Sequence, residues 1–277
     1  MKQEQVLLIT GASSGIGKET ALLAKQHNFK VYACARRTEQ MQDLAQAGIE
    51  VLFLDLMIQE SITQCVTTFL QKEGRIDILI NNAGYGLYGA IEDVPLDKAK
   101  EQFQINLFSL ASLIQLVLPS MRAQKSGKII NVGSIAGKVW TPFGGWYHAS
   151  KFALEGFSDC LRLELKPFGI DVVLIEPGGI KTDWGHIAAQ NLQQISANGA
   201  YAQACMQTAK SMEQNYTDNM LSPPSLIAKT ILKAILAKRP KTRYLIGFMA
   251  KPMLFVKRIF GDNIYDAIVA RAWIRKW

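Results

Sequence analysis

Short apolar segments rich in β-branched residues alternate along the chain with longer segments of helical periodicity. Because this alternation places a helical crossover between successive strands, we expect an α/β fold, a doubly wound parallel sheet with helices on both faces. The predicted strands are Val6–Thr10, Lys30–Ala35, Val51–Asp55, Asp77–Asn81, Lys128–Val132, Val172–Glu176 and a last strand near Tyr244–Ile246.

Two segments interrupt the alternation. Residues 180–220 are polar and rich in Ala and Gln and predict a loop-and-helix insertion, whereas residues 247–277 are basic and aromatic. Since no internal repeat or Pro-rich linker is visible, we expect one domain, residues 1–246, with residues 247–277 as a C-terminal extension that covers the substrate. Polar residues interrupt the charge-free stretch Gln102–Met121, which therefore predicts a buried helix rather than a membrane span.

The composition is that of a soluble globular protein, with 49% hydrophobic and 19% charged residues. The formal net charge of +8 is uneven, because residues 238–277 hold ten of the 31 Lys and Arg residues but only two of the 23 Asp and Glu residues. The rest of the chain is balanced, which argues against nucleic acid as a partner.

The cysteines and the N-terminus predict a cytoplasmic protein. The four cysteines lie far apart and the three histidines have no ligand spacing, so we predict neither a disulfide framework nor a metal site. The apolar run Val6–Thr10 is too short for a signal peptide. We therefore expect a reducing, cytoplasmic location.

A glycine-rich segment, Thr10–Gly17 (TGASSGIG), directly follows the first predicted strand. In a strand–turn–helix unit, glycines allow a tight turn and the close approach of a phosphate, whose charge the helix N-terminus attracts. An ordinary βα turn is the alternative, but the position after the first strand favours a Rossmann-type dinucleotide site. Its predicted contacts are Gly11, Ser13, Ser14, Gly15, Ile16 and Gly17.

The end of the second strand distinguishes between the two nicotinamide dinucleotides. An NAD site usually places a carboxylate there, whereas the 2′-phosphate of NADP favours a guanidinium. Arg36 and Arg37 follow Ala35, and no carboxylate is present. We therefore expect NADP(H), with NAD(H) less favoured, and Arg36 as the phosphate ligand with Arg37 as the alternate.

Tyr147 and Lys151 are four residues apart in a segment of good helix formers, so both should lie on one helix face. A neighbouring ammonium favours ionisation of the phenol, which can then act as a general acid or base. An amphipathic surface pair would show the same spacing. However, Ser134 follows the fifth predicted strand and Asn81–Gly84 (NNAG) the fourth, and open α/β sheets bind ligands at such strand ends.

These residues together resemble the short-chain dehydrogenase/reductase family. The resemblance runs from Val6 to Thr182 and rests on motifs in the family's order: TGASSGIG, Asp55, NNAG, Asn106, Ser134, Tyr147-x-x-x-Lys151 and Pro177–Gly178. It implies that Tyr147 exchanges a proton with the substrate oxygen while hydride moves to or from the nicotinamide, and that Ser134 holds that oxygen. It also implies that Lys151 lowers the pKa of the phenol and binds the nicotinamide ribose, and that Asn106 fixes a water beside Lys151.

The resemblance also implies the remaining cofactor contacts. Asp55 would contact the adenine amino group. The adenosine ribose would lie against Asn82, Ala83 and Gly84, and the nicotinamide end against Pro177, Gly178, Ile180 and Thr182. Tyr147 and Lys151 would also contact the cofactor.

The residues alone leave other roles open for three of these positions. Asp55 could be a turn residue, Asn106 a helix-interior amide and Thr182 a helix N-cap. We assign no catalytic role to His148, which lies about 100° around the helix from Tyr147.

Aromatic residues and the 180–220 insertion are expected to wall a substrate pocket, which favours an apolar carbonyl/alcohol pair such as a steroid, retinoid, fatty-acyl compound or aryl ketone. Core packing is the alternative for each aromatic. Within the family, the chain looks most like retinol dehydrogenase, hydroxysteroid dehydrogenase and acyl-dihydroxyacetone-phosphate reductase relatives. The candidate walls are Trp184, Tyr85, Trp140, Phe143 and Trp146.

Aromatic and basic residues alternate in the C-terminal extension, as is typical of a segment on an anionic membrane surface. A substrate lid whose cations face water is the alternative to weak membrane-surface contact. Two other functions compete with the enzyme: a non-catalytic NADP(H)-sensing regulator, and a membrane-surface scaffold that uses the extension. The family commonly assembles through the helices around Asn106 and Tyr147, which implies a homodimer or homotetramer.

Overall fold

The computed structural model describes residues 4–217 and 220–273, so Arg275, Lys276 and Trp277 of the basic extension lie outside the described residues. Its sheet consists of β1 Val6–Thr10, β2 Lys30–Ala35, β3 Glu50–Phe53, β4 Ile78–Asn81, β5 Gly127–Val132, β6 Ile170–Pro177 and β7 Arg243–Ile246. All neighbouring strands are parallel, in the order β3-β2-β1-β4-β5-β6-β7. This confirms the predicted doubly wound sheet in a single domain, and it places a ligand crevice where the order reverses beside β1.

Helices cover both faces of the sheet. They are α1 Gly15–Gln26, α2 Gln42–Gln46, α3 Gln59–Glu73, α4 Leu96–Phe103, α5 Ser109–Gln124, α6 Gly145–Leu165, α7 Asp183–Ile195, α8 Ala202–Thr217, α9 Pro224–Leu236 and α10 Ala250–Trp273.

The alternation of side chains along each strand divides the core between the two faces. In β1, Leu8 points into the core beneath α3, α5 and α6, whereas Leu7 and Ile9 point into the core beneath α1 and α9. All three are fully buried. The near-continuous apolar strands predicted from the sequence follow from this double burial.

Strands β3, β5, β6 and β7 each begin one or two residues earlier than predicted, β6 ends one residue later at Pro177, and two further strand ends differ at acidic residues. The strand predicted to reach Asp55 ends at Phe53, because the Asp55 carboxylate accepts a hydrogen bond of 2.9 Å from the N–H of Met57 and so forms a turn. Asp77 lies just before β4, where its carboxylate accepts a 2.8 Å hydrogen bond from the N–H of Val6. Both acidic residues stabilise strand ends through backbone N–H groups.

The insertion at residues 180–220 contains two helices, α7 and α8, which pack against each other. Leu192 of α7 and Cys205 of α8 are fully buried in a small core that also contains Tyr147. The insertion therefore covers the region around Tyr147.

The C-terminal extension contains α10, which Gly261 interrupts with a φ of +75°. The Tyr265 hydroxyl donates a 2.9 Å hydrogen bond to the Trp140 carbonyl, and the Trp140 indole donates one of 2.7 Å to Asp266. The described part of the extension is therefore folded against the domain.

A long helical segment, Leu96–Gln124, comprises α4, a π-helical turn and α5. Among the described residues it is the one helix long and apolar enough to cross a membrane. Leu113 and Val117 on its inner face pack in the core with Phe69 of α3, while Phe108 is exposed. The helix predicted over Gln102–Met121 is therefore present, with one face buried.

Candidate active site

The carboxyl ends of the strands border one continuous cleft of about 1220 Å³. It extends from the glycine-rich turn after β1 to the tail helix α10. Gly17 and Asn106 lie behind this surface. The other predicted site residues all line it: Gly11, Ser13, Ser14, Gly15, Ile16, Arg36, Arg37, Asp55, Asn82, Ala83, Gly84, Ser134, Tyr147, Lys151, Pro177, Gly178, Ile180 and Thr182.

The glycine-rich turn depends on three glycines. Gly11 and Gly15 have φ angles of +68° and +55°, in the left-handed region where glycine is favoured. A Cβ on Gly17 would lie 2.3 Å from the carbonyl oxygen of Gly11, so the turn has no room for a side chain there. The Asn82 amide donates hydrogen bonds of 3.0 and 3.1 Å to the carbonyls of Thr10 and Gly11, which ties the turn to β4.

The N-terminus of α1 borders the cleft. Ser14 is the N-cap residue and makes no side-chain capping hydrogen bond. The N–H groups of the first helical turn are therefore left for a ligand, and with the helix dipole they favour an anion. The shape of the turn and these amides fit the pyrophosphate of a dinucleotide.

The end of β2 carries the two arginines. Arg36 and Arg37 both line the cleft, and the Nη2 atom of Arg37 lies 3.5 Å from the Ser13 hydroxyl. The cleft therefore has guanidinium groups beside the glycine-rich turn. Asp55 also lines the cleft, so the same residue forms the turn after β3 and borders the cleft.

Ser134 and Tyr147 both line the cleft. Ser134 lies just after β5, where its hydroxyl accepts a 3.1 Å hydrogen bond from the N–H of Ala136. Burial raises the pKa of Tyr147 to about 12, and the neighbouring Ser134 side chain acts in the opposite direction. The phenol is therefore protonated at neutral pH and can donate a proton.

Lys151 lies one helical turn from Tyr147 and is also buried. Its ammonium donates a 3.0 Å hydrogen bond to the carbonyl of Val132. Burial lowers the pKa of Lys151 to about 8, although Glu155 acts in the opposite direction. Burial dominates the pKa of Tyr147, and the lowering of that pKa by Lys151 stays a prediction.

Asn106 lies in the π-helical turn Gln104–Phe108 between α4 and α5. Its Oδ1 atom accepts a 3.2 Å hydrogen bond from the N–H of Tyr85, and its Nδ2 atom donates to the Tyr85 carbonyl and to the Ser150 hydroxyl at 3.1 and 3.0 Å. A Cβ on Gly84 would lie 3.0 Å from Oδ1 of Asn106 and 3.8 Å from Nζ of Lys151. Asn106 therefore supports the chain segment next to Lys151.

His148 has a structural role. Its Nε2 atom accepts a 3.0 Å hydrogen bond from the N–H of Thr141, which leaves Nδ1 to donate to the Ala136 carbonyl at 3.0 Å. Burial lowers the pKa of His148 and so keeps the ring neutral. The side chain joins α6 to the turn that follows Ser134.

Aromatic rings surround the Tyr147 phenol. Trp184 and Tyr85 line the cleft as predicted, and so does Tyr88, which the sequence did not suggest. The ring centroid of Tyr147 lies 5.0 Å from that of Trp184 and 6.0 Å from that of Tyr88. The region next to the phenol is therefore apolar and narrow.

The other three predicted wall residues do not line the cleft, so that prediction was wrong for them. Each packs on another aromatic ring, because aromatic side chains bury wherever a neighbouring ring is available. Trp140 lies 5.3 Å from Tyr265, Phe143 lies 6.3 Å from Tyr201 and Trp146 lies 6.5 Å from Phe103, between ring centroids.

A charged cluster lies one turn beyond Lys151 on α6. Lys138 pairs with Glu155 at 2.6 Å, and Nε of Arg243 lies 3.1 Å from Glu155 and 3.2 Å from Glu176. Burial and the Glu155 carboxylate raise the pKa of Glu176 to about 7. These residues are far apart in the sequence and follow no periodicity, so the cluster could not be predicted from the sequence.

Comparisons with known proteins cover almost the whole chain. A family model described as short chain dehydrogenase matches residues 5–193. A probable short-chain type dehydrogenase/reductase, VdlC, of Helicobacter pylori is 38% identical over 94% of this chain and 95% of its own. A 3-ketodihydrosphingosine reductase of Bacteroides thetaiotaomicron is 35% identical over 92% of each chain. A solved short-chain dehydrogenase from Streptomyces avermitilis has a TM-score of 0.81 at 29% identity, covering 99% of this chain and 97% of that one.

Proposed function

Because the chain belongs to the short-chain dehydrogenase family, whose members are nicotinamide-dependent oxidoreductases acting on CH–OH groups, we propose that it interconverts an apolar carbonyl and its alcohol with NADP(H). One observation carries this proposal. The hydroxyl-bearing residues Ser134 and Tyr147 line the same cleft as the glycine-rich turn, so a bound dinucleotide and a substrate oxygen can meet there.

The cleft residues fit NADP(H). The glycine-rich turn and the N-terminus of α1 suit the pyrophosphate, and Arg36 or Arg37 suits the 2′-phosphate. Asp55 is proposed for the adenine amino group. The ribose is proposed to lie against Asn82, Ala83 and Gly84, and the nicotinamide end against Pro177, Gly178, Ile180 and Thr182. When bound, the nicotinamide supplies or accepts the hydride.

The chain's own groups handle the proton. Tyr147 gives its proton to the carbonyl oxygen in reduction and takes it back from the alcohol in oxidation. Ser134 donates a hydrogen bond to the same oxygen. Lys151 binds the nicotinamide ribose hydroxyls and favours the phenolate that reduction leaves. Asn106 is a positioning residue that holds the Gly84–Tyr85 segment, and with it a water, beside Lys151.

The walls of the cleft support an apolar substrate. Trp184 and Tyr88 lie against the catalytic phenol, and α10 adds further apolar side chains at the other end of the cleft. The Bacteroides relative is named as the reductase of a keto compound, 3-ketodihydrosphingosine. A ketone or aldehyde on a long apolar chain or ring system suits this cleft.

We also propose a cytoplasmic homodimer or homotetramer that assembles through α5 and α6. Phe108 and Phe152 expose apolar rings on or beside these helices, which supports an interface there. Light scattering after size-exclusion chromatography gives the assembly, and a monomer would contradict it.

Replacement of Tyr147 by Phe tests the proposed function. The variant lacks the proton donor but keeps the ring, so turnover of steroid, retinoid, acyl and aryl carbonyls with NADPH should fall by about 10²–10⁴-fold. NADPH binding, followed by fluorescence, should stay within about twofold, since Tyr147 provides none of the phosphate contacts. Turnover in the variant equal to that of the wild type would reject the proposal. A wild-type protein that binds NADPH but reduces none of these carbonyls would also reject it and would support a cofactor sensor.

A further inference from the structure

The outward face of α10 exposes a group of large apolar side chains. Phe255, Ile259 and Phe260 are 59%, 62% and 51% exposed, and Ile264 and Ile268 follow at 48% and 50%. The ring centroids of Phe255 and Phe260 lie 6.4 Å apart, so these two rings are neighbours, and Ile259 lies between them in the sequence. Contiguous apolar patches on a soluble protein mark sites of interaction.

The opposite face of α10 is fixed to the domain. Leu254, Tyr265 and Val269 are buried together with Ile135 and Val139, which follow Ser134. The break at Gly261 redirects the chain, so both halves of α10 contact this core. The exposed side chains are therefore held outward by a packed helix.

The basic residues around the patch favour an anionic partner. Lys251, Arg258 and Arg271 are exposed on the same helix. The last forty residues, 238–277, hold ten Lys and Arg residues against two Asp residues. A second copy of this face would bring like charges together, whereas an anionic bilayer offers negative headgroups above an apolar interior.

The patch is continuous with the cleft. Met249 and Ile268 are about half exposed and also line the cleft, as do Met253, Val256 and Val269. An apolar path therefore runs from the outward face of α10 into the cavity that contains Ser134 and Tyr147. A soluble polar substrate would gain nothing from such a path.

We propose that the outward face of α10 docks on anionic lipid bilayers and that the cleft takes an amphiphilic carbonyl substrate from the bilayer. The docking surface stands independently of the catalytic assignment, whereas the entry of substrate rests on the proposed function. Lys251, Arg258 and Arg271 contact headgroups, and Phe255, Ile259 and Phe260 enter the interface between headgroups and acyl chains.

Cosedimentation of the full-length protein with vesicles tests the docking. Vesicles of phosphatidylcholine with phosphatidylglycerol should bind the protein roughly tenfold or more better than phosphatidylcholine alone, because each basic residue near the surface adds attraction. Added salt should weaken binding to the anionic vesicles. Equal binding to both vesicle types, or none to either, would overturn the proposal.

A matched pair of triple variants separates docking from general hydrophobicity. Replacing Phe255, Ile259 and Phe260 by Ser should reduce vesicle binding about tenfold or more. Replacing Phe53, Ile58 and Leu236 by Ser should leave it unchanged, although these side chains are comparably exposed at 56%, 49% and 55%. Equal loss in both variants would overturn the assignment to α10.

Charge and assembly give two further readouts. Replacing Lys251, Arg258 and Arg271 by Gln should remove most of the preference for anionic vesicles, and an unchanged preference would overturn the proposal.

Light scattering should show the same assembly for the wild type and the Phe255/Ile259/Phe260 variant. A smaller species in that variant would show that the patch joins copies of the chain, which also overturns the proposal.

Turnover distinguishes failure of docking from failure of the proposed function. With NADPH and a water-soluble carbonyl, the Phe255/Ile259/Phe260 variant should match the wild type, which also shows that it folds. With a long-chain ketone embedded in anionic vesicles, it should be slower by about tenfold or more. Equal rates of the wild type and the variant on the embedded ketone would overturn the entry of substrate from the bilayer. If the wild type binds vesicles but turns over no carbonyl, the catalytic assignment is refuted and the docking proposal stands.

Discussion

The ammonium of Lys151 donates a 3.0 Å hydrogen bond to the carbonyl of Val132, the last residue of β5. This contact holds the lysine against the sheet. Burial lowers the pKa of Lys151 to about 8, so the lysine loses its charge well before Tyr147, whose pKa is raised to about 12. The pH dependence of cofactor use should therefore follow the lysine.

We expect kcat/KM for NADPH to be constant near neutral pH and to fall above about pH 8. The charged form of Lys151 donates to the ribose hydroxyls, and kcat/KM reports ionisations of the free enzyme, so the fall should approach about tenfold per pH unit. In Lys151→Arg the side chain stays charged, and the alkaline fall should disappear even if the rate is low. An unchanged alkaline fall in that variant would assign the ionisation to another group.

Arg36 and Arg37 should determine the preference for NADPH over NADH. Charge-assisted hydrogen bonds to the 2′-phosphate imply that Arg36→Asp weakens NADPH binding by about 10- to 100-fold and leaves NADH binding nearly unchanged. Arg37→Asp is the matched comparison. Arg37 is the alternate phosphate ligand, and its side chain lies 3.5 Å from Ser13 in the glycine-rich turn. Fluorescence titration gives all the affinities. If neither variant changes the ratio of NADPH to NADH affinity, the NADP(H) assignment is wrong.

Gly17→Ala should disrupt dinucleotide binding. A Cβ at this position would lie 2.3 Å from the backbone oxygen of Gly11, so the turn must shift, and we expect NADPH affinity to fall by about tenfold or more. Gly156→Ala on α6 is the control, since nothing lies within 4 Å of its added Cβ. That control should bind NADPH normally and gain about 0.5–1 kcal/mol of unfolding free energy. Retained affinity in Gly17→Ala would contradict the proposed cradle.

Trp184→Ala should change the preference for substrate size. The indole packs 5.0 Å from the Tyr147 ring, and a Cβ on Gly86 would lie 2.2 Å from it, so Trp184 narrows the cleft beside the phenol. We expect kcat/KM for small aldehydes to fall about tenfold or more, and that for bulky ketones to fall less or rise. Trp184→Phe, which retains an aromatic wall, should show a smaller change. A uniform loss across substrates would argue against Trp184 as a wall.

The sequence predicts those parts of this molecule that depend on local periodicity. β-branched apolar runs identify β1, β2, β4, β5 and β6, and the glycine spacing identifies the turn after β1. The i, i+4 spacing brings Tyr147 and Lys151 to one face of α6. Each signal comes from residues near one another in the chain, so no tertiary knowledge is needed.

The features that depend on distant contacts are not visible in the sequence. Trp140, Phe143 and Trp146 have the same aromatic character as Trp184, and only the tertiary neighbours Tyr265, Tyr201 and Phe103 decide that they pack outside the cleft. The partner of Lys151 is a main-chain carbonyl 19 residues away. Burial raises the pKa of the Tyr147 phenol, and a sequence does not display burial.

The π-helical turn at Gln104–Phe108 makes the spacing along this helix functionally important. A π turn contains an extra residue compared with an α turn, and each α-helical residue rotates the helix by about 100°. Loss of one residue from this segment would restore α geometry and rotate one half of the helix against the other. Either Asn106 would then leave Tyr85 and Ser150, or Leu113 and Val117 would leave the core. Among variants of this enzyme, substitutions within residues 104–108 should therefore be tolerated far better than single-residue deletions.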